Sequence, residues 1–181
     1  MTFTYEHPQP SGYRLRQRLA FALLIAILLG AIGQLVLAIL LKGFLFLLTS
    51  ITLLAFAPFV LMLLSSTPPL TVSEQGITIR PLFWKHRFFS WSDVLAFKPY
   101  PLLPRPDQEA ERRLVQGKQK YQAADGMMLV VRGLPLQYRC AGYFAGEGGK
   151  PIIAFTNRTH ANYGQLVKQI EQHLSLRVMQ S

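Results

Sequence analysis

Ile39 to Phe46 reads ILLKGFLF, and how that octet is divided decides the fold. Lys42 is the only charge between Leu19 and Leu64, a run of 46 residues whose polar side chains are Gln34, Thr49, Ser50 and Thr52. As one helix the run would be about 69 Å long at 1.5 Å per residue, more than twice the roughly 30 Å of a bilayer's hydrocarbon core. Divided at Lys42-Gly43 it gives Leu19–Leu41 and Phe44–Leu64, each close to the ~20 residues that one crossing needs. The octet therefore reads as the turn of a transmembrane helical hairpin. Glycine relaxes the backbone where the chain reverses, and the lysine holds the turn at the water interface.

The bland alternative for the first run is a cleaved signal peptide, because Arg14, Arg16 and Arg18 precede it. Against that, the run exceeds the ~7 to 15 apolar residues of a signal, and a second span follows at once. Basic residues orient the hairpin. Three arginines precede the first span, Lys42 stands in the turn, and Arg80, Lys85 and Arg87 follow the second. The expectation is a two-pass protein of the plasma (inner) membrane, with a tail over 1–18 and both termini cytoplasmic. In the first span Ala26, Gly30 and Gly33 set small residues on roughly one face, suiting close approach of the second span or of another chain. Pro58 is expected to kink the second helix.

From Ser65 onward the composition is that of a soluble domain, with 15 basic and 8 acidic residues. Such a domain beside an anionic leaflet gains about 1 kcal/mol for each nearby Lys or Arg. Cys140 is the single cysteine, which excludes an intrachain disulfide and a cysteine-based metal site. The hydrophobic period here becomes twofold. Leu70, Val72, Ile77 and Ile79 alternate with polar residues around Glu74-Gln75-Gly76, and further strands are expected at Arg87–Trp91, Val94–Tyr100, Met127–Arg132, Gln137–Phe144 and Ile152–Thr156. Prolines at 99, 101, 104 and 106 open a connection to Asp125, with a short helix expected over 107–115. Tyr163, Leu166, Val167, Ile170 and Leu174 recur at spacings of three and four, the stripe of an amphipathic helix over 160–176.

LTVSEQGITIR (Leu70–Arg80), FSWSDVLAF (Phe89–Phe97) and NYGQLVKQI (Asn162–Ile170) together resemble the membrane-anchored bacterial PH-like (pleckstrin-homology-like) proteins, over about residues 66–176. The resemblance implies a mainly β, nearly closed barrel of two packed sheets with the amphipathic helix at its mouth. The fold class is thus a transmembrane hairpin followed by a PH-like barrel. Trp91 is expected in the core at a strand corner, with Asp93 bonding nearby backbone amides. Related domains that hold phosphoinositides use a basic loop between their first two strands. Here that connection, Ser73–Gly76, holds an acid and no base.

The richest chemical cluster is FWKHRFF, Phe83–Phe89. Aromatic and basic side chains together suit a bilayer interface, where rings lie among headgroups and cations meet phosphates. An ordinary solvated turn with core aromatics on its flanks fits the same residues. Trp84, Lys85, His86 and Arg87, with Arg112 and Arg113 of the insertion at 101–125, are the candidate contacts to anionic headgroups or a protein partner. GEGGK at Gly146–Lys150 is no P-loop, because Phe144 and Pro151 stand where glycine and a hydroxyl residue are needed. No histidine pair has metal-ligand spacing, and no nucleophile elbow or paired-carboxylate cluster appears. No catalytic, cofactor or metal residue is assigned. The expected role is a non-enzymatic binding or scaffold module at the bilayer, acting alone, as a homo-oligomer or as an accessory subunit of a transporter or other membrane complex. Nucleic acid is not an expected partner, since the basic insertion carries a single aromatic, Tyr121.

Overall fold

The computed structural model describes residues 2–105, 109, 114 and 121–178. Two helices, α1 (Pro10–Leu41) and α2 (Phe44–Ser65), form the hairpin, and both are long and apolar enough to cross a membrane. α1 starts well before the apolar run because Pro10 is pre-shaped for a helix's first turn, where its missing N–H is not needed. The reversal occupies Lys42 and Gly43 as expected, yet the left-handed conformation falls on Lys42 (φ 50°, ψ 32°) and not on the glycine (φ −94°). What position 43 requires is room, since a Cβ there would lie 2.8 Å from the Phe46 ring.

The seam between the helices follows alternating spacings of three and four: Leu24, Ile27 and Ala31 on α1, and Ser50, Leu53, Ala57, Val60 and Leu64 on α2. That is the pattern of a left-handed antiparallel pair. The Ser50 hydroxyl donates to the Ala31 carbonyl at 2.8 Å. Gly30 meets Leu53 across the seam, whereas Ala26 and Gly33 face outward, so the small-residue face is only partly used here. Pro58 sits inside a helix that continues through it.

β1 (Phe3–Tyr5), β2 (Leu70–Ser73), β3 (Gly76–Ile79) and β4 (Arg87–Ser90) form one antiparallel sheet in that order; β5 (Val94–Pro99), β6 (Gly126–Val131) and β7 (Ile152–Thr156) form a second. β1 lies within the expected tail. Phe3 pairs with Val72 and Tyr5 with Leu70, so chain from both sides of the hairpin is joined in one sheet. No strand pair joins the two sheets among the described residues, and the barrel is not closed. At the β4–β5 junction a tight 3-10 turn, Trp91–Asp93, ends β4 and carries the chain into the second sheet. Asp93 Oδ2 accepts from the Ser90 amide at 3.0 Å and the Ser90 hydroxyl at 2.9 Å, while buried Trp91 donates to the Ser73 carbonyl at 3.1 Å.

The strand expected at Gln137–Phe144 is instead a helix, α3 (Leu136–Phe144). Tyr138, Ala141 and Ala145, at helical spacing, turn inward. α4 (Tyr163–Val178) closes the domain, setting Leu166 and Ile170 into the core between the sheets with Leu70, Ile77, Ile79, Leu129, Ile153 and Phe155. The opposite face of the second sheet is also covered. Met128, Val130, Ile152 and Ala154 pack against Met62 of α2 and Ala141 and Ala145 of α3. A sheet buried on both faces needs apolar residues at successive positions, which is why β6 and β7 read MLVV and IIAF without alternation.

Candidate anion site at the base of the hairpin

The seven residues between β3 and β4, Arg80–His86, lie at the domain end of the hairpin and are tied down at three points. The Arg80 amide donates to the Pro69 carbonyl at 2.8 Å, and the Arg80 guanidinium donates through Nη2 to Thr71 Oγ1 at 2.6 Å. Phe83 stacks on Phe21 of α1 with ring centroids 4.3 Å apart and planes 11° from parallel. An aromatic half-buried against an apolar helix keeps the chain that follows it close to that helix.

The loop separates two cavities. One, of about 250 Å³, is bounded by Glu6, His7, Tyr13, Arg14, Arg80 and His86. The other, of about 280 Å³, is bounded by Phe83, Trp84, Lys85, Arg87, Gln137 and Tyr138. Trp84, Lys85 and Arg87 are therefore together, and His86 lies on the other side of the loop. Arg112 and Arg113 fall outside the described residues, as does most of the helix expected over 107–115. Of the described part of that connection, buried Glu109 accepts from Tyr121 Oη at 2.9 Å and from Arg158 at 3.1 Å.

α3 supplies the far wall of the second cavity. It runs antiparallel to the last turns of α2, with Ser65 Oγ donating to the Gln137 carbonyl at 2.8 Å and Phe144 meeting Phe59 edge-on at 6.1 Å. Tyr138 is wholly buried, and burial pushes its phenol upward from the usual range, with Tyr13 adding to the rise and Arg87 opposing it. The hydroxyls of Tyr13 and Tyr138 are both buried and make no hydrogen bond with the described residues. A buried hydroxyl without a partner is costly. Each is a neutral donor beside guanidinium groups, a combination suited to the oxygens of a phosphate or carboxylate. Burial, assisted by Arg16, holds the His7 imidazole below its usual range, so at neutral pH the first cavity's fixed positive charge comes from Arg14 and Arg80.

Sequence reasoning found the basic loop but not its surroundings. Tyr13, Arg14, Arg80 and Tyr138 come from the start of α1, the end of β3 and α3, and no local spacing links them. The triplet Arg14, Arg16 and Arg18 is the one signal in the sequence, and by itself it marks orientation. Compared with known proteins, the chain matches no family model, no curated protein and no solved structure.

Proposed function

We propose that the chain is a two-pass membrane protein whose PH-like domain lies against the cytoplasmic leaflet and binds anionic lipid headgroups without catalysing a reaction. The observation that carries this reading is the Phe83–Phe21 stack, which ties the loop before Lys85 and Arg87 to the start of the first apolar run. Depth supports it. Arg14 precedes Leu19 by about 7.5 Å of helix at 1.5 Å per residue, comparable with the roughly 5 to 8 Å of headgroup region on each side of a bilayer. The pairing of β1 with β2 keeps the residues before α1 at the domain end of the hairpin, and the excess of basic residues at that end over the single Lys42 favours a cytoplasmic location. The 4-strand and 3-strand sheets with a closing helix are compatible with an open PH-like arrangement.

Trp84 provides the test, because the other tryptophan, Trp91, is buried in the domain. Full-length protein in nanodiscs is expected to show Trp84 emission quenched several-fold more by brominated phosphatidylglycerol than by brominated phosphatidylcholine. The difference is expected to shrink in high salt, where exposed charges are screened, and to vanish in Lys85→Glu/Arg87→Glu. Equal quenching by the two lipids would sink the headgroup reading.

A further inference from the structure

Two cation-lined cavities, each with its own unpartnered buried hydroxyl, flank one short loop. We infer that together they form a single site for a lipid carrying two phosphates joined by a short bridge, one phosphate on each side of the loop. The inference rests on the headgroup reading above and goes further by naming the ligand's chemistry.

The loop's geometry makes the two cavities neighbours. Lys85 and Arg87 line one and His86 the other, and consecutive Cα atoms are about 3.8 Å apart, so a single thickness of chain lies between them. Each cavity has two permanent cations, Arg14 with Arg80 or Lys85 with Arg87, and in its lining a tyrosine whose buried hydroxyl has no partner among the described residues. Arg80 uses Nη2 toward Thr71 and Thr4, which leaves other guanidinium donors for the cavity. A single phosphate diester carries one negative charge and would satisfy one cavity. A lipid with two phosphates satisfies both, and once the first is seated the second binds as an intramolecular event, at high effective concentration. Among the described residues Glu6 is the single acid on the two walls, and it lies at the first cavity, so that half should hold its phosphate less strongly.

The experiment compares three probes on full-length protein in phosphatidylcholine nanodiscs: cardiolipin, phosphatidylglycerol at twice its mole fraction so that total charge is equal, and inorganic diphosphate in solution. Binding is read by native mass spectrometry and by the shift in unfolding temperature. Cardiolipin is expected to bind at least about tenfold more tightly than phosphatidylglycerol. Tyr13→Phe is expected to abolish that preference, and Tyr138→Phe to lower cardiolipin binding while raising the unfolding temperature without anionic lipid. A structural role for the hydroxyl would not produce that pair of opposite changes. Equal binding of the two lipids would overturn the two-phosphate site and leave the headgroup reading standing. Binding of neither would overturn both. Diphosphate binding as tightly as cardiolipin would assign the site to a free ligand and overturn the lipid. A cardiolipin preference that survives Tyr13→Phe would remove the first cavity from the site.

Discussion

His160 shows how much one side chain can make the fold depend on pH. Its Nε2 lies 3.1 Å from the Pro68 carbonyl and its Nδ1 2.9 Å from Thr159 Oγ1. A carbonyl can only accept, so Nε2 carries the proton, Thr159 donates to Nδ1 and the ring is neutral. Burial lowers its pKa to about 4, with His7 contributing in the same direction. The folded state therefore refuses a proton that the unfolded chain takes up near 6.5. Stability from this group is complete above about pH 6.5 and falls as pH drops toward 4, by on the order of 3 kcal/mol in total. Unfolding temperature of the full-length protein in detergent, measured between pH 7 and 4, is expected to fall more steeply for wild type than for His160→Gln. Parallel curves would show that His160 is not the source. At this scale the proposed site was half legible. Lys85 and Arg87 stand out because aromatics flank them in the chain, whereas Tyr138 reads as an ordinary core residue until its hydroxyl is found without a partner.

At the scale of elements, the hairpin was legible because nothing but a membrane or a very large core accommodates 46 nearly uncharged residues. α3 was not. Its inward stripe is built on Ala141, Gly142 and Ala145, whose small side chains give little periodic signal, while Tyr138, Cys140 and Phe144 mimic a strand's alternation. Small residues are what docking requires, since a Cβ at Gly142 would lie 1.7 Å from the Lys150 carbonyl oxygen, a backbone atom that cannot swing aside. Gly142→Ala is accordingly expected to cost about 1 to 3 kcal/mol or more, as overpacking does, and to lift α3 off the second sheet. The check is the rate of thiol labelling at Cys140, now half-buried, which should rise together with a lower unfolding temperature. An unchanged labelling rate would mean that α3 accommodates the methyl group in place.

At the scale of the whole molecule, the least legible feature is the one that joins the parts. Three residues, Phe3–Tyr5, have too little sequence to announce a strand, and only their pairing with β2 holds them in that conformation. Tyr5 is buried there, and its hydroxyl donates to Gln169 of α4 at 2.8 Å. Deleting residues 2–8 is expected to cost about 2 to 3 kcal/mol, the value of burying one aromatic side chain. Hydrogen exchange is expected to show lost protection of the β2 amides that face β1, with the second sheet, β5 to β7, unaffected. Full protection of β2 in the deletion would show that β1 adds nothing.

That pairing also sets an order of events in the making of the protein. Thr4 and Thr71 touch although they are 67 positions apart in the chain, and between them lies the helical hairpin. During synthesis the first strand emerges early and waits while both apolar helices are made, because its partner does not yet exist. If the hairpin spans a bilayer as proposed, the sheet can close only when its two ends lie on one side. A chain threaded with those ends on opposite sides leaves β2 with a bare edge, open to pairing with other chains. On the proposed topology, the three-residue strand would act as a built-in inspection of that threading, passed once, at the moment the domain folds.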